Sequence, residues 1–151
     1  MIDLHCHLLP GIDDGAKSLD DSLAMARHAV NAGIKKIVAT PHITPGRYDN
    51  SLKTIQPVFE NLKAAIIAEE IPLEISFAAE IRFDPIIMDL VNHDELPLLG
   101  EYEDERLILL EFPHSHIPPG CEELVQWLAE RGVRVLVAHP ERNRRVLGDI
   151  E

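Results

Sequence analysis

Two histidines stand two residues apart at the start of the chain, in Asp3-Leu4-His5-Cys6-His7. On an extended backbone alternate side chains face the same way, so the His5 and His7 imidazoles can converge while Cys6 faces packing. Imidazole suits zinc, iron and other borderline metals, and manganese combines it with carboxylates. Asp3 can reach the same region or hold a histidine ring from behind. A His-x-His pair alone is a weak signal. It gains weight here because a histidine or carboxylate marks the end of each successive apolar run: Asp14 in the loop after the first, then His42, Glu80, Glu111 and His139. Charges at buried strand ends are costly without a partner, and a shared cation removes that objection. His5, His7, Asp14, His42, Glu80, Glu111 and His139 are therefore the candidate metal ligands. Asp13 reads as a turn residue.

A metal cluster calls for an anionic substrate, and arginine is the side chain that grips phosphate oxygens in a fork. Arg142, three residues beyond His139, is the leading candidate, followed by Arg47 in the loop after His42. His114 and His116, in Pro113-His114-Ser115-His116, share a local spacing that suits a substrate or gating role at the mouth of a site. Arg144 and Arg145 read as solvent-facing, as do His28 and His93. Other routes to phosphate chemistry are missing. The chain has no glycine-rich phosphate loop and no Gly-x-Ser-x-Gly elbow. Neither cysteine is followed by an arginine at the spacing of a thiol phosphatase: Ile12 stands there after Cys6, and Trp127 after Cys121. Water activated by metal is the nucleophile these residues favour.

These side chains must be positioned by a strand–loop–helix rhythm. Apolar runs at 2–5, 34–40, 73–79, 106–112 and 133–138 read as strands. Between them, periodic apolar positions predict a helix opening at Ser18 and closing at Gly33. Further helices are expected over 51–70, 84–92 and 120–131, with Pro57 placed to kink or split the first of these. The segment from Asn143 onward reads as the opening of another helix. Alternating strands and helices imply a mainly parallel sheet, whose carboxyl end is where sites form.

The 151 residues are 46% hydrophobic and 26% charged, with a formal net charge of −12. Such a composition predicts a soluble globular domain. The acidic balance disfavours nucleic acid as a partner. No apolar stretch is long enough for a membrane span, no secretory signal opens the chain, and two cysteines make no disulfide framework. The cytoplasm is the expected location.

Taken together, MIDLHCHLLPGIDDGAKS, IVATPHITPGRY, AAEIR, LLEFP and VLVAHPERNR resemble the polymerase and histidinol phosphatase (PHP) superfamily, and within it the bacterial protein-tyrosine phosphatases of capsule and exopolysaccharide gene clusters. The matching stretches run from residue 1 to 145. The resemblance implies an α/β fold of mainly parallel strands arranged as a distorted (β/α)7 barrel, with a site for two or three manganese ions, zinc or iron being alternatives. It implies that His5 and His7 bind one metal and that Glu80 bridges to a second, completed by Glu111 and His139. Asp14 and His42 would serve the third, and Arg142 would engage phosphate. The implied substrate is a phosphotyrosine protein, in this setting a bacterial tyrosine kinase. A phosphatase of small metabolites such as histidinol phosphate is the alternative. Such proteins complete the cluster with an Asp-x-His in their last barrel strands, and none follows His139 here. Residues 1–151 are thus expected to form the N-terminal two-thirds of such a domain, an incomplete barrel whose open edge is covered by further chain, self-association or a partner. A non-catalytic remnant that binds metal or a partner is the third reading.

Overall fold

The computed structural model describes residues 1–148. Eight strands are present: β1 (Ile2–Cys6), β2 (Lys36–Ala39), β3 (His42–Ile43), β4 (Glu74–Phe77), β5 (Glu80–Arg82), β6 (Gly100–Tyr102), β7 (Glu105–Glu111) and β8 (Val133–Val137). Five helices accompany them: α1 (Leu19–Asn31), α2 (Leu52–Ala68), α3 (Ile86–Asn92), α4 (Cys121–Ala129) and α5 (Arg144–Gly148). One sheet runs β1-β2-β4, all parallel. In the other, β3, β5, β7 and β8 pair in parallel in that order, while β6 folds back antiparallel on β7.

The two sheets are halves of one curved surface. β2 pairs with β4 and β3 with β5, and the gap between the pairs is bridged by Ala78 N–H to the Ala39 carbonyl (2.8 Å) and Glu80 N–H to the Pro41 carbonyl (3.0 Å). Pro41, which has no N–H to donate, sits where the ladder breaks. Five parallel lines of chain result: β1, β2 with β3, β4 with β5, β7, and β8. Among the described residues the outer edges of β1 and β8 carry no strand, and no closed barrel forms.

The expected alternation is present, with shifts that have local causes. The strand expected from residue 34 starts at Lys36, because the α1 exit uses the preceding residues. Gly33 takes a left-handed φ of 84°, and Ile34 N–H returns to the Ala29 carbonyl (2.9 Å). At the α1 start, Ser18 Oγ accepts from Asp21 N–H (3.2 Å), and Asp21 Oδ2 accepts from Lys17 N–H rather than from the Ser18 amide. Pro57 does not split α2. It lies on the exposed face, where water can serve the Lys53 carbonyl that loses its partner. His42 and Glu80, expected directly after the second and third strands, each open a further short strand, β3 or β5. The antiparallel β6 was not expected at all. The expected C-terminal helix begins as α5; the part of that expectation that falls on residues 149–151 lies outside the described residues.

The core is built from Leu8, Leu9, Ile37, Ile43, Ile55, Leu62, Ile81, Ile87, Ile108, Leu110 and Leu128, none more than 1% exposed. Ile43 and Ile81 are the immediate neighbours of His42 and Glu80. Burial of the apolar residue therefore fixes the register that turns its polar neighbour to the other face of the sheet. No helix among the described residues is long and apolar enough to cross a membrane.

Candidate metal centre

Glu80 is the hub. Its side chain is fully buried at the start of β5, an environment a carboxylate tolerates only with strong compensation. Four imidazoles supply it. His5 Nε2 and His7 Nε2 each lie 3.1 Å from Glu80 Oε2, and His42 Nδ1 lies 3.3 Å from the same oxygen. His139 Nε2 lies 2.7 Å from Oε1. The four rings come from β1 and the turn beyond it, β3, and the end of β8, so the two outermost strands of the arc converge here. The His5 and His139 ring centroids are 5.5 Å apart.

Two further carboxylates complete the cluster. Glu111, at the end of β7, is 5% exposed and lies 3.8 Å from His42 Nδ1 through Oε2. Its other oxygen receives Arg82 Nη1 at 2.9 Å across the β5–β7 register. Asp14 is half-exposed, with Oδ1 at 3.5 Å from His42 Nε2. Donor atoms within 4.8 Å of one another form three sets: His5, His7, Glu80; His7, Asp14, His42; and His42, Glu80, Glu111. His139 belongs to none of them but touches Glu80. Its backbone has a φ of 27°, a region rarely visited by residues with a Cβ. That turn, closed by Arg142 N–H to the His139 carbonyl (2.9 Å), swings the ring back over the cluster.

The sequence candidates separate cleanly in space. His7, Asp14, His42, Glu80, Glu111 and His139 line one polar cleft of about 370 Å³, together with Arg47, Arg142 and His114; His5 borders the adjoining depression with His139 and Arg142. His116 is not brought to this cleft. Its Nδ1 pairs with Ser115 Oγ (2.8 Å), and its carbonyl is tied down by Asn143 Nδ2 (2.8 Å), which also fixes the Pro113 carbonyl. The segment is the irregular turn that its flanking prolines suggest, and of the two histidines it brings only His114 to the cleft. Asp3 does not reach the cluster either: its Oδ1 accepts from the His5 backbone N–H (3.0 Å). The carboxylate that holds a histidine ring is Asp13, 2.8 Å from His7 Nδ1. His28 and His93 are exposed, as expected.

Three lining residues were not singled out from the sequence, Arg82, Thr44 and Tyr48, and Asp13, read there only as a turn residue, stands behind the ligands. Arg82 could have been found from its alternation with Glu80 on one strand. Tyr48 stacks on the His42 ring with centroids 5.4 Å apart and planes 7° from parallel, and Arg47 lies over the Tyr48 ring. Nothing in the spacing of that loop announces this.

The electrostatics follow from the geometry. Burial alone would raise the Glu80 carboxyl, but its contacts with His5 and His7 hold it well below the usual carboxylate range. Burial alone would lower the His7 ring, yet Asp13 and Glu80 raise it to about 10. Cys6 is pushed up to about 11 by burial and the nearby Asp3 and Asp13 charges, so it is a neutral thiol packed beside the core. That disfavours a thiolate at Cys6 at neutral pH.

The donor set fits divalent cations. His42 Nδ1 and Glu80 Oε2 are buried and lack any well-formed hydrogen bond in the protein, although they face each other. Unpaired buried polar atoms are rare and call for a specific occupant. Imidazoles and carboxylates converging from separate strands are the ligands expected of manganese, zinc or iron.

Comparison with known proteins shows the family and the fold to which the chain is similar. A family model described as capsular polysaccharide synthesis, CpsB/CapC, matches residues 1–151. The tyrosine-protein phosphatase YwqE of Bacillus subtilis (strain 168) is 42% identical over 147 residues, covering 97% of this chain and 56% of that protein. The putative tyrosine-protein phosphatase CapC of Staphylococcus aureus is 30% identical over 151 residues, covering 100% of this chain and 58% of CapC. A solved chain from crystal structures of YwqE from Bacillus subtilis and CpsB from Streptococcus pneumoniae, described as unique metal-dependent tyrosine phosphatases, superposes with a TM-score of 0.88 at 39% identity. The match covers 98% of this chain and 59% of that one. The chain spans somewhat more than half the length of the relatives it matches.

Proposed function

The chain belongs to the CpsB/CapC capsular polysaccharide synthesis family, and from that premise we propose that the protein is a metal-dependent protein-tyrosine phosphatase. The observation that carries the reading is Glu80: one buried carboxylate ringed by His5, His7, His42 and His139, where Glu80 Oε2 and His42 Nδ1 are buried without a well-formed hydrogen bond. The reading takes residues 1–151 as the N-terminal part of a distorted (β/α)7 PHP-type barrel, open between β1 and β8. It places the protein in the cytoplasm, acting on a tyrosine kinase of polysaccharide synthesis.

His5, His7 and Glu80 would hold one cation, Glu80 with Glu111 and His139 a second, and Asp14 with His42 a third, with manganese the preferred ion. Bound there, such ions supply Lewis acidity toward water and phosphoryl oxygens. The chain's own groups do the rest. Arg142 and Arg47 line the cleft with guanidinium forks, which fix the phosphate and share the charge it gathers during transfer. Arg82 is committed to Glu111 and keeps that carboxylate aimed inward. Phenolate is a good leaving group because the parent phenol has a pKa of about 10. Modest proton help therefore suffices, and His114, exposed at the cleft mouth, is placed to give it.

Turnover of a phosphotyrosine peptide beside histidinol phosphate tests the assignment. Manganese-stimulated hydrolysis of the peptide, abolished by chelation, is expected. Preference for histidinol phosphate would move the protein to the small-metabolite reading. Metal uptake with no phosphoesterase turnover would leave only a binding role.

A further inference from the structure

Asp13 stands beside the half-exposed Asp14 in a surface turn, yet its own side chain is fully buried. Both of its oxygens are used. Oδ1 accepts the Gly15 backbone N–H (2.9 Å), an ordinary turn contact. Oδ2 does something the turn does not require. It accepts the His42 backbone N–H (3.1 Å) and lies 2.8 Å from His7 Nδ1. A single carboxylate oxygen thus joins two histidines that belong to different strand lines.

The consequence for His7 is chemical. A carboxylate only accepts, so the His7 nitrogen facing it carries the proton. The other nitrogen, Nε2, is aimed at Glu80 and is the one that can take a cation there in exchange for its own proton. The loop is pressed against these residues from two other directions. Asn50 Nδ2 donates to both the Ile12 and the His42 carbonyls, at 2.9 Å each. A Cβ on Gly15 would run into the His7 carbonyl oxygen, so the turn lies directly on the His7 backbone.

We propose that Asp13 is a positioning residue of the metal centre, whose Oδ2 sets His7 for coordination through Nε2 and holds the His42 backbone in register with it. This rests on reading the cluster as a metal centre.

Asp13→Asn tests the role. The amide can keep the Gly15 contact, but it then presents N–H groups where His7 and His42 need an acceptor. Zinc and manganese affinities, measured by competition with a chromophoric chelator, should fall about 10- to 100-fold, while circular dichroism of the metal-free variant remains that of a folded protein. Nitrogen-15 spectra of the zinc-loaded wild-type protein give a second readout that needs no variant. They should show the His7 proton on Nδ1 and zinc on Nε2. A folded Asp13→Asn protein with unchanged affinity, or a His7 ligated through Nδ1, overturns this inference alone. No cation uptake by the wild-type protein overturns the metal-centre reading and the inference with it.

Discussion

At the scale of single residues, the site is organised by the problem of a buried negative charge. Glu80 is surrounded by imidazoles, and the flanking Asp13 and Glu80 carboxylates raise the His7 ring to about 10. The sign of the linkage follows. A raised histidine pKa stabilises the fold fully below about pH 6.5, and that contribution is lost as pH rises through about 10. Cation binding at neutral pH must displace the proton from Nε2, so calorimetry in buffers of different ionisation enthalpy should show net proton release on metal uptake. Heats independent of the buffer would contradict it. Glu80→Gln removes the charge the ligands surround. Metal affinity and phosphotyrosine turnover should both drop by at least about 100-fold, the scale set by loss of a first ligand exceeding that of an outer partner. His5 and His7 were legible in the sequence because period-two spacing is a geometric statement on a strand. Asp13 was not, because two adjacent aspartates before a glycine carry the chemistry of a turn whichever of them is turned inward.

At the scale of elements, strands of two or three residues do the positioning. β3 and β5 deliver His42 and Glu80, and each is continuous in direction with the strand before it. Neither was legible, since alternation over two or three residues carries no period. The longer runs that became β2, β4, β7 and β8 were, as were the helices, whose apolar stripes span several turns. Ile81, fully buried between Glu80 and Arg82, ties the register of β5 to the core. Ile81→Ala should lower unfolding stability by roughly 2–5 kcal/mol, measured by urea denaturation. It should also weaken cation binding, because Glu80 loses its fixed backbone. A destabilised variant with unaltered metal affinity would show that β5 does not position the hub.

For the molecule as a whole, the arc begins at β1 and ends at β8, and exposed apolar side chains stand on both: Ile2 at 60%, Leu4 at 44% and Leu136 at 40%. An unpaired strand edge with apolar neighbours is a template for association. Residues 1–151 on their own should therefore show a sedimentation mass that rises with concentration, and Leu136→Lys should reduce that rise. A strictly monomeric species across the accessible range would contradict it. The parallel α/β plan was legible from the strand–helix rhythm. The convergence of β1 and β8 at one end was not, since curvature depends on pairings between segments distant in the chain.

All of these expectations depend on cations gathering at Glu80. Crystals soaked in manganese and measured at its absorption edge give the most direct reading. Anomalous peaks should lie within coordination distance of Glu80 and of His5, His7 and His42 nitrogens. Peaks confined to other surfaces, with the four rings still closed on an empty Glu80, would contradict the account.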